Sequence, residues 1–430
     1  MPSRSRFPFF LFFVLCAVPC RAQIPTSLTL ADAEKIAIEN HPQIQGAQYQ
    51  ANAAKAQVTQ ARSAYYPQVF GSLTGVESET NSRIAAGSLS NSIIFDRYAN
   101  GLTVSQLVTD FGRTHEFVKS ASQHAQAQQE NVITSRADVL VAVDQAYYAV
   151  LKSQAVLKVA EETVKDRQLV SDQITELEKN KLKSGLDVSF ANVNLSQAQL
   201  LLIQAQNNLQ ASYADLSTAL GYSDQKSFTL SDESAPTTPP ADITQLISQA
   251  LQNRPELVGG RLNVSSAQSY ATAERDLWFP TISTIAVAGL TPVHETALGG
   301  DRYAAAGFNV NIPIFNGHQF NALHAEATAE AHAQEQYLRD LQNRVTRDVR
   351  KAWLDANSAF QRLDVTQQLL NQATQALDLA QQRYKLGLSS IIELSQAQLN
   401  MTQAEITQTS AKYDYAAAIS VLRFQIGDIH

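Results

Sequence analysis

The sequence predicts a mainly α-helical chain with a small β part, made of one unit written twice. Three observations predict it. Residues recur at constant offsets, two very long windows lack glycine and proline, and short alternating segments precede each window.

The recurrence is the organising feature, and repeats of this kind decide a fold before local propensity does. Asn40-His41-Pro42 matches Asn253-Arg254-Pro255 and Tyr66-Pro67 matches Phe279-Pro280, both at an offset of 213. Ala146-Tyr147 with Ala352-Trp353, Ser184 with Ser390, Asp187 with Glu393, Ala191 with Ala397, Ala198 with Ala404 and Gly221 with Gly427 share an offset of 206. The first copy therefore has the longer loop, between Pro67 and Ala146. The expected organisation is a first repeat over 23–233, a linker at 234–240 containing Pro236, Pro239 and Pro240, and a second repeat over 241–430.

Ahead of the repeats, Arg4 and Arg6, an apolar run from Phe7 to Val18 and then Cys20-Arg21-Ala22 read as a secretory signal peptide cut after Ala22. A lipoprotein signal with Cys16 or Cys20 as the acylated residue is the competing reading. Both cysteines fall inside the leader, so disulfides, thiolate catalysis and cysteine-bound metals are excluded for the mature chain. Losing Arg4, Arg6 and Arg21 takes the formal charge from −7 to −10. Such an acidic, exported chain has no electrostatic reason to bind nucleic acid. No later apolar run reaches the ~20 residues a spanning helix needs, so membrane insertion would have to be as β-structure.

Residues 113–184 and 318–386 contain neither glycine nor proline, runs of 72 and 69 residues. Val349, Trp353, Ala356, Phe360, Leu363, Leu370, Ala373, Leu377, Ala380 and Tyr384 follow steps of four and three, with Thr366 in the one gap. That is a coiled-coil seam. Long helices are expected at about 113–183, 187–220, 318–385 and 390–426. An unbroken helix of this length reaches roughly 100 Å, which no ordinary globular core requires. These helices alone would favour a plain coiled-coil rod, and a periplasmic coiled-coil scaffold without a pore is the alternative of another class.

Strands are expected at about 68–77, 99–109, 281–290 and 303–314. In the last, Phe308, Val310 and Ile312 alternate with Asn309 and Asn311, giving a lipid-compatible face and a polar, lumen-compatible one. Each segment is close in length to the ~9–11 residues of a tilted transmembrane strand. Tyr65, Tyr66, Trp278 and Phe279 precede the first strand of each hairpin, and Phe111 and Phe315 follow the second. Aromatic girdles occupy that level in barrels, where an apolar ring with a polar tip suits the interface. The hairpin tips at 78–98 and 292–302 are rich in small and polar residues. Four strands cannot close a barrel, and open edges in lipid leave backbone groups unpaired, so membrane-spanning strands demand an oligomer.

Leu28 to Ala37, Asn40-His41-Pro42, Arg62 to Pro67, the duplicated layout and Tyr384 to Ala397 together resemble the TolC family of outer-membrane efflux and secretion channels. The resemblance covers essentially the whole mature chain. It implies a homotrimer with a 12-stranded barrel set on an α-helical periplasmic conduit, in the outer membrane of a Gram-negative-type bacterium. It also implies docking to a periplasmic membrane-fusion adaptor and to an inner-membrane transporter of the RND, ABC or MFS type. The family's gate and adaptor contact map onto Lys181, Leu182, Ser184, Asp187, Gly387, Leu388, Ser389 and Glu393. The first of these tips departs from the family pattern, since Gly185-Leu186 runs directly into Asp187 and suggests a shorter turn. Ser389 stands where the family's bridging tip arginine would be, so that lock is not expected here. Asp187 and Glu393 have two readings, a cation-favouring ring at a constriction and helix N-terminal acids favoured by the dipole.

No dinucleotide fingerprint, phosphate loop, zinc-peptidase motif or nucleophile elbow occurs. His324 and His332 lie eight apart on one helix, and His115, His124 and His318 are isolated, so no catalytic, metal or cofactor site is expected. The function expected is a passive exit duct for solutes, with a protein-secretion channel as the alternative.

Overall fold

The computed structural model describes residues 27–79, 96–232, 238–293 and 300–428. The expected leader, most of the two hairpin tips (80–95 and 294–299) and linker residues 233–237 lie outside the described residues.

The first half contains α1 (Leu30–Asn40), α2 (Pro42–Arg62), a 3-10 turn (Ser63–Tyr65), β1 (Gln68–Val76), β2 (Arg97–Thr109), α3 (Arg113–Lys179) and α4 (Gly185–Ala219). The second contains α5 (Ile243–Asn253), α6 (Pro255–Arg275), a 3-10 turn (Asp276–Trp278), β3 (Thr281–Val293), β4 (Arg302–Asn311), α7 (Gln319–Lys385) and α8 (Ile391–Gln425). Corresponding helices have equal lengths: 11 residues in α1 and α5, 21 in α2 and α6, 67 in α3 and α7, and 35 in α4 and α8. The Asn-x-Pro motifs are helix breaks. His41 and Arg254 leave the helical region at ψ 123° because the next residue is proline, and Pro42 and Pro255 then open the following helix.

Helix α7 packs against its neighbours along small residues. Ala352, Ala356, Ala359, Thr366, Ala373, Ala380 and Tyr384 are buried on α7, and the Thr366 hydroxyl donates to Arg362 O, so the gap in the apolar seam is satisfied within its own helix. Alanine contributes little area per residue but lets helix axes approach closely. α3 lies against α4 in its tip-ward half and against α2 and α6 in its sheet-ward half, where the Ser120 and Ser266 hydroxyls meet at 3.1 Å. Two larger cores form near mid-length, where the short helices α1 and α5 pack on the long ones. Val139, Val143, Leu216 and Leu220 in one are matched by Val345, Val349, Leu422 and Ile426 in the other, at the offset of 206. Trp353 Nε1 donates to Pro240 O at 2.8 Å and Lys412 pairs with Asp232 at 2.7 Å, tying both ends of the linker to the second repeat.

The four strands form one antiparallel sheet in the order β1-β2-β3-β4, with β1 and β4 at its edges. β1 is the strand with least alternation in the sequence, because Gly71 and Gly75 interrupt it; pairing along all nine of its residues with β2 overrides that weakness. β4 ends at Asn311, earlier than the expected 314, which places Ile312 beyond the strand. Pro313 has no N–H to donate to a ladder and constrains the residue before it, so pairing stops there.

Candidate functional site

Two places concentrate function-bearing chemistry: the sheet and the opposite ends of the long helices. Directly paired residues share a face, so the register assigns the faces. Phe308 and Val310 pair with Thr284 and Ile282, and Ala306 and Ala304 with Ala286 and Ala288. Ala286 and Ala288 pair in turn with Val104 and Leu102, and those with Val69 and Gly71. This face is apolar apart from a few positions such as Thr284, Gln106 and Asn100. Asn309 and Asn311 share the other face with Ser283, Thr281, Ser105 and Thr103. Ile285 and Val287 stand on that same polar face, so these two apolar side chains of β3 lie on the face opposite to Phe308 and Val310 of β4. β-bulges interrupt the β2–β3 ladder at Tyr98/Asn100 and Leu107/Thr109, and the second displaces Val108 from the alternation.

Every residue of β4, Phe308 (78% exposed) included, is exposed on the single chain. Tyr65, Tyr66, Phe111, Trp278, Phe279 and Phe315 are likewise exposed at the helix-ward end of the sheet. Phe111 packs on Phe279 with ring centroids 6.2 Å apart, which joins the end of β2 to the start of β3. Trp278 meets Phe320 edge-on at 5.5 Å.

At the far end, the two helical turns have one geometry. After α3, Lys181 N donates to Glu178 O and Leu182 N to Leu177 O; after α7, Gly387 N donates to Tyr384 O and Leu388 N to Arg383 O. This is the Schellman arrangement, which needs a left-handed residue after the helix. Gly387 supplies it at φ 73° and Lys181 at φ 59°. The first turn is therefore not shorter than the second. Gly185, which suggested a shortened turn, is the opening residue of α4.

Ser184 and Ser390 cap the returning helices. Asp187 closes a capping box, accepting from Ser184 N at 3.0 Å and from its hydroxyl at 2.6 Å. Partial burial disfavours the Asp187 carboxylate, but the hydrogen bonds from Ser184 and the charge of Lys183 outweigh it, and its pKa lies below the ordinary value. Glu393 instead reaches back to Arg383, at 3.0 Å. Between the two turns, Lys183 Nζ sits 3.8 Å over the Tyr384 ring, a cation–π contact from the first helical pair to the second. Burial, followed by the facing Asp187 carboxylate, pushes the Tyr384 phenol up to about 12. Leu182, Leu186, Leu386, Leu388 and Ile392 are exposed around this point, while the Ser389 hydroxyl is buried without a hydrogen-bond partner among the described residues.

Tyr384 and Arg383 were not distinguishable as tip residues in the sequence, where Tyr384 reads as one more seam position. Of the histidines, His324 meets Ala271 O and His332 meets Glu335. Among the described residues no group of histidine, cysteine or acidic side chains is placed to hold a metal, and no helix is long and apolar enough to cross a membrane.

Residues 35–222 and 246–428 match the family model described as outer membrane efflux protein. The chain belongs to this family. Both matched segments coincide with the two structural halves and leave out the linker. It is 23% identical to the outer membrane efflux protein BepC of Brucella suis, covering 92% of this chain and 84% of that one. The alkaline protease secretion protein AprF of Pseudomonas aeruginosa is also 23% identical, over 93% of this chain and 85% of its own length. The structure superposes on the Campylobacter jejuni CmeC outer membrane channel with a TM-score of 0.78 at 17% identity, covering 99% of this chain and 94% of that one. An outer membrane efflux protein is an exit channel of the Gram-negative outer membrane.

Proposed function

We propose that three copies of this chain close a 12-stranded barrel and continue it as a helical periplasmic conduit. The observation that carries this reading is the sheet itself: β1 and β4 are both unpaired edges, β4 is exposed along its whole length, and one face is apolar. Lipid offers no partner for an edge, so the edges must pair with each other across copies. The helices agree with this. Leu186, Val193 and Leu200 on α4 and the equivalent Ile392 and Leu399 on α8 form exposed stripes at steps of seven, the pattern of a seam awaiting another helix.

In this reading Phe308 and Val310 face lipid, Asn309 and Asn311 face the lumen, and the six aromatics form the inner girdle. The tip is the gate. Lys183, Tyr384 and Asp187 hold the two helical pairs together, and Arg383–Glu393 locks α7 to α8, in the role for which Ser389 has no suitable group. The exposed leucines beside it are the contact for a periplasmic adaptor, which links the duct to an inner-membrane transporter of the RND, ABC or MFS type. The duct makes and breaks no bonds; it opens when the tips part. Export of a protein is the second reading, favoured by the likeness to the protease secretion protein AprF over most of both chains.

The test is the mass of the protein extracted from outer membranes in mild detergent, with bound detergent subtracted. Three chains per particle are expected. A monomer or dimer released without detergent would reject the shared barrel in favour of a coiled-coil scaffold.

A further inference from the structure

One row of the sheet has an unusual composition. Tyr303 of β4 pairs with Gly289 of β3, Gly289 with Gly101 of β2, and Gly101 with Ser72 of β1. The tyrosine side chain does not stand off the sheet. A Cβ on Gly289 would come within 2.5 Å of Tyr303 Cζ, and a Cβ on Gly101 would fall onto the Tyr303 hydroxyl. The ring thus crosses two strands, flat in a trough that exists only because both neighbours lack side chains. Neither glycine has a positive φ, but the adjacent strands also press on both: a Cβ on Gly289 would fall onto Asn100 O and one on Gly101 would lie 2.9 Å from Ala288 O, so ring and ladder together require glycine there. An aromatic laid over a cross-strand glycine also covers backbone that would otherwise be bare.

Tyr303 shares the face of Asn309 and Asn311 and lies near the hairpin-tip end of β4, directly after Arg302. Resting on the trimeric-barrel reading above, three such rings line the lumen near its outward mouth. We infer that Gly101 and Gly289 form a seat that keeps Tyr303 against the wall, and that this ring of three seated tyrosines sets the bore of the outer mouth. A side chain at either seat lifts the ring inward and also strains the adjacent ladder, so variants of Tyr303 that leave both glycines in place isolate the effect of the ring. The seat is therefore a determinant of the largest solute that passes, separate from the helical gate.

The experiment reads the mouth from outside, so that the gate does not limit it. An Asn309→Cys variant places a thiol in the lumen on the inner side of the tyrosines, and intact cells are treated with thiol-reactive polyethylene glycols of graded mass. Gly101→Ala in that background is expected to lower the mass at which labelling stops. Adding Tyr303→Ala to Gly101→Ala is expected to restore or raise it, and Tyr303→Phe to leave it unchanged. Tyr303→Ala and Tyr303→Trp, which alter no glycine, are expected to raise and lower the limit respectively and decide the matter if Gly101→Ala does not assemble. A limit that stays fixed in assembled Tyr303→Ala and Tyr303→Trp channels, with Asn309→Cys still labelled, overturns the seat and leaves the barrel reading intact. Labelling of Val310→Cys but not of Asn309→Cys by the smallest reagent overturns the face assignment, and the seat with it.

Discussion

Asp144 is only 3% exposed, and one of its carboxylate oxygens has no partner among the described residues. Burial pushes its pKa up to about 7, against a hydrogen bond from Ser420, with Glu34 raising it further and Arg423 lowering it. The folded chain thus keeps a proton that the unfolded chain releases near pH 4. By linkage, this group costs stability progressively as pH rises from about 4 to about 7. Asp144→Asn is expected to stabilise the fold at pH 8 by on the order of a few kcal/mol, seen as a higher thermal midpoint, with little change at pH 4. Circular dichroism in detergent at the two pH values checks this; an equal shift at both would mean the charge is not involved. Lys181 pays a different penalty, since a non-glycine residue in the left-handed region costs roughly 1–2 kcal/mol. Lys181→Gly is expected to stabilise the first tip by about 1 kcal/mol, seen as slower amide exchange over residues 174–191, and Gly387→Lys to loosen the second comparably. Equal exchange rates in the wild-type and Lys181→Gly proteins would count against that strain.

At the scale of elements, the helices were readable because glycine, proline and a four-three apolar step act locally. Residues 113 and 385 appear as helix ends in both sequence and structure, and Ala356, Ala373 and Ala380 lie in the seam where the spacing put them. Strand ends were less readable. β3 continues to Val293 although Pro292 interrupts its sequence pattern, and β4 stops at Asn311 although alternation continues to Ile314. Ladder pairing decides both, and pairing is not written in either strand alone. The tip was legible in outline only. Ser184, Asp187 and Ser390 announce helix starts through local capping chemistry, whereas the Lys183–Tyr384 contact joins residues 201 apart and depends on how two helical pairs meet. The same holds for Tyr303, whose two glycines lie on different strands. For the sheet faces the expected outcome is sharp. Val310→Arg should impair assembly, costing ~2–4 kcal/mol near the membrane midplane, while Asn311→Arg should assemble normally. Heat-stable oligomer on a gel reads both, and the reverse result would exchange the two faces.

Across the whole molecule, the two halves differ where their charges matter most. Asp187 is committed to capping its own helix, while the equivalent Glu393 is engaged by Arg383. In a trimer this gives six carboxylates near one opening, three shared with arginines and three with lysines close by. Asp187→Ala with Glu393→Ala is expected to lower cation preference, read as a shift of reversal potential under a salt gradient. An unchanged potential would remove both residues from the constriction. The equal helix lengths carry a further consequence. Deleting one residue from α3 would draw its tip back by ~1.5 Å and rotate everything beyond by about 100°, out of register with an unchanged α7. Heptad-sized changes made in all four arms at once would preserve the seam and keep the tips flush. The distance such a duct bridges can therefore change only in concerted steps, so its length should resist insertion and deletion far more strongly than its composition resists substitution.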